Sequence, residues 1–223
     1  MGMQKFRFGN LPIPPVEYSP EHLRQAFRIL ELYFDQLDSN TPLQAEYFKG
    51  RGDWLTNPHI SASDSTDQIA AGDNTPTQVK WSTLGAASGF TLTSNYAAPD
   101  YPGVYKIDYS LQFVNTDSVF HDVFVWLEVN GGTQVPNSSS RFTIPARKSA
   151  SDFGYLVAYS SVTFEVQAGD AIKLYWATAV AGNPTTPTAG VYMDHLAAQT
   201  SPPYDRPANP SAVGSITFVS ALP

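Results

Sequence analysis

Four histidines are the first residues to consider for chemistry, because histidine titrates near neutral pH and is a common metal ligand. They are His22, His59, His121 and His195, each in a different segment, and no two have the spacing of a zinc-binding H-E-x-x-H helix. The chain contains no cysteine, which excludes disulfides, thiolate metal sites and cysteine nucleophiles. The sequence therefore predicts no metal site and no cofactor.

Short motifs add little further chemistry. No G-x-S-x-G elbow, P-loop or Rossmann glycine pattern occurs. The 20 acidic residues leave a glycosidase-type carboxylate pair open, because the sequence does not show which acids are adjacent in space. Arg51-Gly52-Asp53 and Asn137-Ser138-Ser139 match an adhesion and an N-glycosylation tripeptide, and we interpret both as ordinary polar turns. We expect a protein that is not an enzyme, and we assign no catalytic residue.

Charge and hydropathy narrow the class of partner. The formal net charge is −7 and no run of Lys or Arg occurs, so we expect no nucleic-acid partner. No segment reaches the roughly 18–20 apolar residues of a membrane helix, so we expect no membrane insertion. Residues 1–10 lack the apolar centre of a signal peptide, and we expect no export by that route. With 42% hydrophobic and 15% charged residues, the composition favours a packed fold.

The elements that could position functional side chains fall into three zones. The first zone, residues 1–43, begins with an arm in which Pro12, Pro14 and Pro15 impose extended or polyproline geometry. The second zone, residues 44–76, is polar and without periodicity, and it is predicted to be a linker. The third zone, residues 77–223, is predicted to be the globular head.

One helix is predicted in the first zone. Ser19-Pro20-Glu21 combines an N-cap, a first-position proline and a first-turn acid, and the helix is expected to end at Leu37. One apolar face predicts a stalk helix, and its residues are Leu23, Phe27, Leu30, Phe34 and Leu37. Two heptads are too short for a free coiled coil in water. The face packs either on the core of the domain or in a short bundle of several copies.

The third zone is a succession of strand patterns. One face of the segment 104–113 is aromatic and aliphatic, formed by Tyr105, Ile107, Tyr109, Leu111 and Phe113. The segment 122–129 is apolar on both sides, with Phe124 and Trp126 opposite the valines, and both its faces are expected to be covered. Asn130-Gly131-Gly132 and Gln167-Ala168-Gly169-Asp170 are predicted tight turns. Eight to ten short strands without alternating helices predict a β-sandwich or jelly roll.

Several of these segments carry a resemblance to a known family. They are Pro102-Gly103-Val104-Tyr105, Val123–Leu127 followed by Asn130-Gly131, Val162–Val166 followed by Ala168-Gly169-Asp170 and Ile172–Trp176, and Ser215–Val219. In this order, they resemble the globular head of the C1q and tumour-necrosis-factor superfamily over residues 77–222. The resemblance implies a mainly β fold, a C1q/TNF-like jelly-roll sandwich with one N-terminal helix. It also implies a homotrimer, often above a stalk.

The resemblance gives candidate residues for the trimer interface. In such heads the aromatic strand and the last strand lie near the threefold axis, which implies Tyr105, Tyr109 and Phe218. Phe124 and Trp126 are added because their strand is apolar on both faces. The alternative is that these side chains simply fill the core of the sandwich.

The N-terminal zone resembles that of small tailed-bacteriophage structural proteins, in which a proline-rich arm and one helix precede a β head. This resemblance implies docking to other virion proteins, of capsid or tail, through an anchor arm formed by Phe6, Phe8, Leu11, Pro14 and Pro15. It implies a virion location after assembly in the host cytoplasm. A short tail fibre or host-adhesion knob, a capsid decoration protein and a free C1q-like binding module all remain open. Host surface glycans or proteins are the candidate ligands of the head loops.

Overall fold

The computed structural model describes residues 20–38 and 57–222, apart from residues 94, 187, 202 and 203 and the side chains of 32–38. The chain divides into two compact units, Met1–Arg51 and Gly52–Pro223. The predicted anchor arm and the Arg51-Gly52-Asp53 tripeptide lie outside the described residues, and so do the side chains of Phe34 and Leu37. The anchor therefore stays a prediction.

Helix α1 spans Pro20–Asp38 and is the described part of the first unit. It begins at the predicted proline, with Glu21 in the first turn, where an acid complements the helix dipole. Leu23, Phe27 and Leu30 share one face and are exposed, Phe27 by 61%. The described helix is not long and apolar enough to cross a membrane. The stalk role of this face stays a prediction.

The second unit, the head, consists of two antiparallel sheets. The strands of sheet A are β1 (His59–Asp64), β3 (Thr83–Ser88), β6 (Gly103–Asn115), β10 (Gly154–Val166), β12 (Val191–Met193) and β13 (Ala212–Ser220). Their order is β10-β6-β13-β1-β3, and β12 pairs with the end of β6. The first and last strands of the head are therefore neighbours in the middle of the sheet.

Sheet B covers the inner face of sheet A. Its strands are β2 (Thr77–Gln78), β4 (Phe90–Thr93), β5 (Tyr96–Pro99), β7 (His121–Val129), β8 (Thr133–Gln134), β9 (Ser140–Ile144) and β11 (Ile172–Thr178). Their order is β4-β5-β11-β7-β8, with β2 beside β11 and β9 beside β7. The predicted fold class, a mainly β jelly-roll sandwich with one N-terminal helix, is confirmed.

The core lies between the sheets and follows from the predicted alternation. All five residues of the predicted β6 face are buried, and Val123, Val125 and Leu127 are buried on β7. Phe113 of sheet A meets Trp176 of sheet B with ring centroids 5.4 Å apart. Burial on one side of each strand fixes the register, because a shift by one residue would turn these side chains outward.

Strand β1 corrects the predicted linker. It lies within residues 44–76, yet it pairs along its whole length with β13, and Ile60 is buried opposite Ile216. The head therefore includes residues from His59 onward, not from residue 77. Ser61, Ala62 and Ser63 hid the strand, because small side chains give no hydrophobic alternation.

The sandwich has two distinguishable ends. His59 pairs with Thr217, so the chain enters β1 and leaves β13 at the same end, which we name the base. Gly154 lies opposite Asn115 at the other end of β6, which we name the distal end. A strand of 13 residues such as β6 is about 40 Å long at about 3.3 Å per residue. The base and the distal end are separated by that length.

Candidate functional site

Strand β10 carries an exposed apolar row on the outer face of sheet A. Tyr155, Val157 and Tyr159 alternate along the strand and are 59%, 55% and 62% exposed, whereas Ala158 points inward and is buried. β10 stands at one end of the strand order of sheet A. Three large apolar side chains in one exposed row are unusual for a surface that meets only water.

The strand register gathers a fourth residue next to this row. Tyr159 lies opposite Ser110 of β6, and Ser110 lies opposite Val213 of β13, which is 43% exposed. Residues directly opposite in antiparallel strands share one face. Tyr155, Val157, Tyr159 and Val213 therefore form one surface on sheet A, which we name the apolar patch.

Toward the base, the same outer face becomes polar and internally paired. Lys106 Nζ lies 3.0 Å from Asp108 Oδ1, and the hydroxyl of Tyr159 donates to that oxygen at 3.1 Å. Burial raises the pKa of Asp108, but hydrogen bonds from Lys106, Ser161 and Tyr159 outweigh it, and the pKa is lowered overall. This half of the face already satisfies its own polar groups, so the gain from covering it is small.

Toward the distal end, Asp194 borders the apolar patch. A cavity of about 130 Å³ is lined by Tyr155, Val157 and Asp194 among others. Burial and the charge of Asp67 raise the pKa of Asp194. Burial and the charges of Asp194 and Asp67 raise the pKa of Tyr192 to about 12, so its hydroxyl stays protonated at neutral pH.

The predicted trimer-interface residues do not lie on one surface of the head. Tyr105 and Tyr109 are 0% and 1% exposed within one chain, and the Tyr105 hydroxyl donates to Tyr101 O at 2.9 Å. Phe218 packs edge-on against Tyr105, with ring centroids 5.5 Å apart. Tyr105 and Tyr109 are covered by their own chain, and their place at a trimer interface stays a prediction. All three fill or border the core, which was the alternative.

Phe124 and Trp126 lie on the outer face of sheet B, on the opposite side of the sandwich from the apolar patch. Phe124 is 45% exposed, so the outer side of β7 is not fully covered within the chain. Trp126 stacks against Tyr175 at 6.0 Å, and its Nε1 donates to Glu128 Oε1 at 3.0 Å. The two residues line a groove of about 460 Å³.

Within the described part of the head, two of the three histidine rings, those of His59 and His121, have local partners. His121 Nε2 lies 2.9 Å from Asp117 Oδ2, and His59 Nδ1 lies 2.8 Å from Asn57 O. The hydrogen bond from His121, with one from Ser118, lowers the pKa of Asp117. No group of three or more metal-ligating side chains occurs among the described residues. These histidines have structural roles at the ends of strands.

Sequence reasoning missed the apolar patch although its signal was present. Tyr155, Val157 and Tyr159 alternate with Leu156 and Ala158, so this half of β10 is apolar on both faces. The same pattern in β7 predicts a strand covered on both sides. The outer faces of both strands carry exposed side chains, including Phe124 of β7, and the extent of exposure depends on neighbours far away in the sequence.

Comparison with known proteins gives a structural likeness only. No protein-family model and no curated protein matches the chain. The chain is similar to the solved globular domain of zebrafish complement 1qA protein, with 14% sequence identity and a TM-score of 0.44. The likeness covers 74% of this chain and 99% of that chain. At this identity it concerns the fold alone.

Proposed function

We propose that the chain is a non-enzymatic structural protein of a bacteriophage virion. In this proposal it is a homotrimeric appendage, a short tail fibre or host-adhesion knob, docked through its N-terminal segment. The observation that carries the proposal is the apolar patch on sheet A, because it gives the head a surface for self-association.

Burial of the patch supplies the driving force for assembly. Each Å² of apolar surface removed from water contributes about 25 cal/mol. Tyr155, Val157 and Tyr159 are each more than half exposed in the single chain, so a second copy placed against β10 gains several such side chains at once. Three copies are proposed, not two, because the residue pattern resembles heads of the C1q and tumour-necrosis-factor superfamily, in which threefold assembly is usual.

The direction of the chain supports docking through the N-terminus. The chain enters the head at His59, at the base, and the distal end lies about 40 Å away along β6. The described chain therefore joins the head at the end opposite the loops of the distal end. The exposed apolar face of α1 offers a further site of contact between copies. Such contact is helped by a head that already holds three chains together.

Multi-angle light scattering of the purified full chain tests the assembly. We expect a mass three times that of the 24.3 kDa chain. A monomer at micromolar concentration would contradict the proposal. Deletion of residues 1–43 tests the anchor, since the shortened chain should stay trimeric and fail to join particles. Normal incorporation of the shortened chain would show that the anchor lies elsewhere.

A capsid decoration protein of the same architecture is the second candidate. It shares the trimer and the N-terminal anchor, and it differs in its position on the particle. Electron microscopy of intact particles with an antibody against the head distinguishes tail from capsid labelling.

A further inference from the structure

The distal end of the head contains a pocket that none of the preceding roles uses. It has a volume of about 250 Å³ and lies among three loops, which follow β6, precede β10 and precede β12. The side chains that define it are Thr116, Arg147, Phe153, Asn183 and Tyr192. We name it the distal pocket.

Arg147 is the charged residue of the distal pocket. It is half-buried, and within the described chain its guanidinium has no ion pair or hydrogen bond to an acid. The neighbouring acid, Asp117, accepts the backbone N–H of Arg147 through its carbonyl at 2.8 Å. Its carboxylate is used instead by His121, at 2.9 Å, and by the backbone N–H of Ser118, at 2.6 Å. A partly desolvated cation is thus left without a counter-charge.

The wall that carries Arg147 is fixed by close backbone packing. A Cβ on Gly154 would lie 1.9 Å from Pro145 O, so only glycine permits this approach. The buried Asn115 side chain donates to Val119 O at 2.8 Å and to Pro145 O at 3.1 Å. These contacts hold the backbone just before Arg147 in one position, which lowers the entropic cost of binding a ligand there.

The opposite wall is fixed in the same way. A Cβ on Gly182 would lie 2.6 Å from the carbonyl carbon of Gly190. The Thr116 hydroxyl exchanges two hydrogen bonds with the backbone of Gly190, at 3.1 and 3.2 Å, and the Thr116 N–H donates to Gly190 O at 2.9 Å. Asn183 Oδ1 accepts the backbone N–H groups of Thr185 and Thr186, at 2.9 and 3.2 Å. This arrangement leaves the Nδ2 group of Asn183 as a donor at the pocket.

We propose that the distal pocket binds a sugar residue that carries a carboxylate. Arg147 pairs with the carboxylate, because the planar guanidinium matches a carboxylate with two parallel hydrogen bonds. Asn183 Nδ2 donates to a ring substituent, and the half-buried ring of Phe153 packs against the apolar face of the sugar. A volume of about 250 Å³ lies below the range of pockets for drug-sized ligands, which suits one monosaccharide.

The positive charge of Arg147 indicates that the distal pocket binds an anion. The chain as a whole has a net charge of −7 and repels anions at long range. An unpaired guanidinium in a fixed pocket reverses that sign locally. Sugar acids reach such a pocket from two sources, polymers of uronic acids and glycans that end in a nonulosonic acid, and both present the same carboxylate on a pyranose ring.

Isothermal titration of the full chain with three methyl glycosides tests the ligand class. The probes are methyl β-D-glucuronide, the methyl glycoside of N-acetylneuraminic acid, and methyl β-D-glucopyranoside, which has no carboxylate. We expect at least one acidic probe to bind with a Kd of about 1 mM or tighter, and at least about tenfold more tightly than the neutral probe. The tighter acidic probe identifies the source. Glucose 6-phosphate is a fourth probe, which offers a phosphate in place of the carboxylate. Absence of binding by both acidic glycosides, or tighter binding of glucose 6-phosphate, would overturn the proposal.

Variants then locate the binding. Arg147→Gln should weaken binding of the tighter-binding acidic probe about 10–100-fold. Arg147→Lys should have an intermediate affinity, because lysine keeps the positive charge but cannot donate two parallel hydrogen bonds to the carboxylate. The matched control is Arg141→Gln on the outer face of sheet B, where Arg141 pairs with Asp122 at 3.0 Å. Equal affinities of Arg147→Gln and the unmodified chain would overturn the assignment.

If Arg147→Gln does not fold, Ala189→Glu provides a second test, because it keeps Arg147 and introduces a competing carboxylate. Undiminished binding by this variant would also overturn the assignment.

The ligand proposal does not depend on the trimer. Light scattering on the titrated samples separates the two, because a trimer without sugar binding contradicts only the distal pocket. A monomer that binds an acidic sugar contradicts only the proposed assembly.

Discussion

The two outer faces of the head differ although both carry large aromatic side chains. On sheet B, Trp126 stacks on Tyr175 and donates to Glu128, and the neighbouring Asp122 pairs with Arg141. On sheet A, Tyr155 and Val157 stand exposed in an apolar row. Aromatic content alone therefore does not mark a surface for assembly, whereas a row of exposed apolar side chains on one strand does.

The largest expected effect is the loss of assembly when a lysine is introduced on the outer face of sheet A but not on that of sheet B. Val157→Lys should convert the assembled protein to monomers, because the lysine would have to be desolvated in the contact. Phe124→Lys on sheet B should leave the assembly intact. Light scattering of both variants measures the mass, and circular dichroism checks that each is folded.

The opposite result for the two lysine variants would also identify the assembly surface. If Phe124→Lys yields monomers and Val157→Lys stays assembled, the assembly surface is the outer face of sheet B. The original prediction for Phe124 and Trp126 would then be correct, and the apolar patch would need another occupant.

A smaller effect on stability is expected from removing a buried hydroxyl on the inner face of each sheet. In sheet A, the Tyr105 hydroxyl donates to Tyr101 O at 2.9 Å. In sheet B, the buried Thr178 Oγ1 has no hydrogen-bond partner within the described residues. Tyr105→Phe should destabilise the head by about 1 kcal/mol, and Thr178→Val should stabilise it by about the same amount, because it removes an unpaired polar group. Thermal unfolding should show shifts of about 2–4 °C in opposite directions.

If Thr178→Val lowers the melting temperature, the Thr178 hydroxyl is hydrogen-bonded in the folded protein, for example to a buried water. Ala158→Ser, at a buried position of sheet A, serves as the converse control. It adds an unpaired hydroxyl and should destabilise the head.

The smallest effect is a pH dependence of opposite sign for two aspartates. The pKa of Asp194, beside the apolar patch, is raised above 3.8 by burial and by Asp67. The pKa of Asp122, on sheet B, is lowered below 3.8 by hydrogen bonds from Thr143 and Arg141, which outweigh desolvation. A raised pKa contributes stability below its unfolded value that is lost as pH rises, and a lowered pKa contributes stability that is lost as pH falls.

At about pH 7, Asp194→Asn should therefore melt above the unmodified chain and Asp122→Asn below it. Below about pH 4 the advantage of Asp194→Asn should disappear, and the deficit of Asp122→Asn should close as pH falls further. Melting temperatures between about pH 3 and pH 7 measure both. A constant difference across that range would show that the substitutions act by packing and not by charge.

Much of the fold could be predicted from local patterns. The inward face of β6 followed from strict alternation, and the turn at Asn130-Gly131 followed from its residue types. Both of these residues have positive φ, 56° and 68°. The turn at Gly169, with φ 79°, followed from the same rule. Each of these features is decided within a few residues.

The candidate sites depended on contacts that no local pattern contains. Tyr105 and Tyr155 both alternate with other residues in a strand, yet one is buried and the other is 59% exposed, because sheet B covers only one face of sheet A. The distal pocket joins Arg147 to Asn183 across 36 residues of sequence, and the glycines that hold its walls read as ordinary loop residues.

The start of β1 and the end of β13 lie together at the base, and this has a mechanical consequence. A load applied between the N-terminal segment and a ligand at the distal end would run along the strands, because β1 and β6 extend in that direction. The hydrogen bonds between β1 and its neighbours β13 and β3 would then be loaded in shear, so that many must break together instead of one after another. We therefore expect the force needed to unfold the head along this direction to be higher than its equilibrium stability alone suggests.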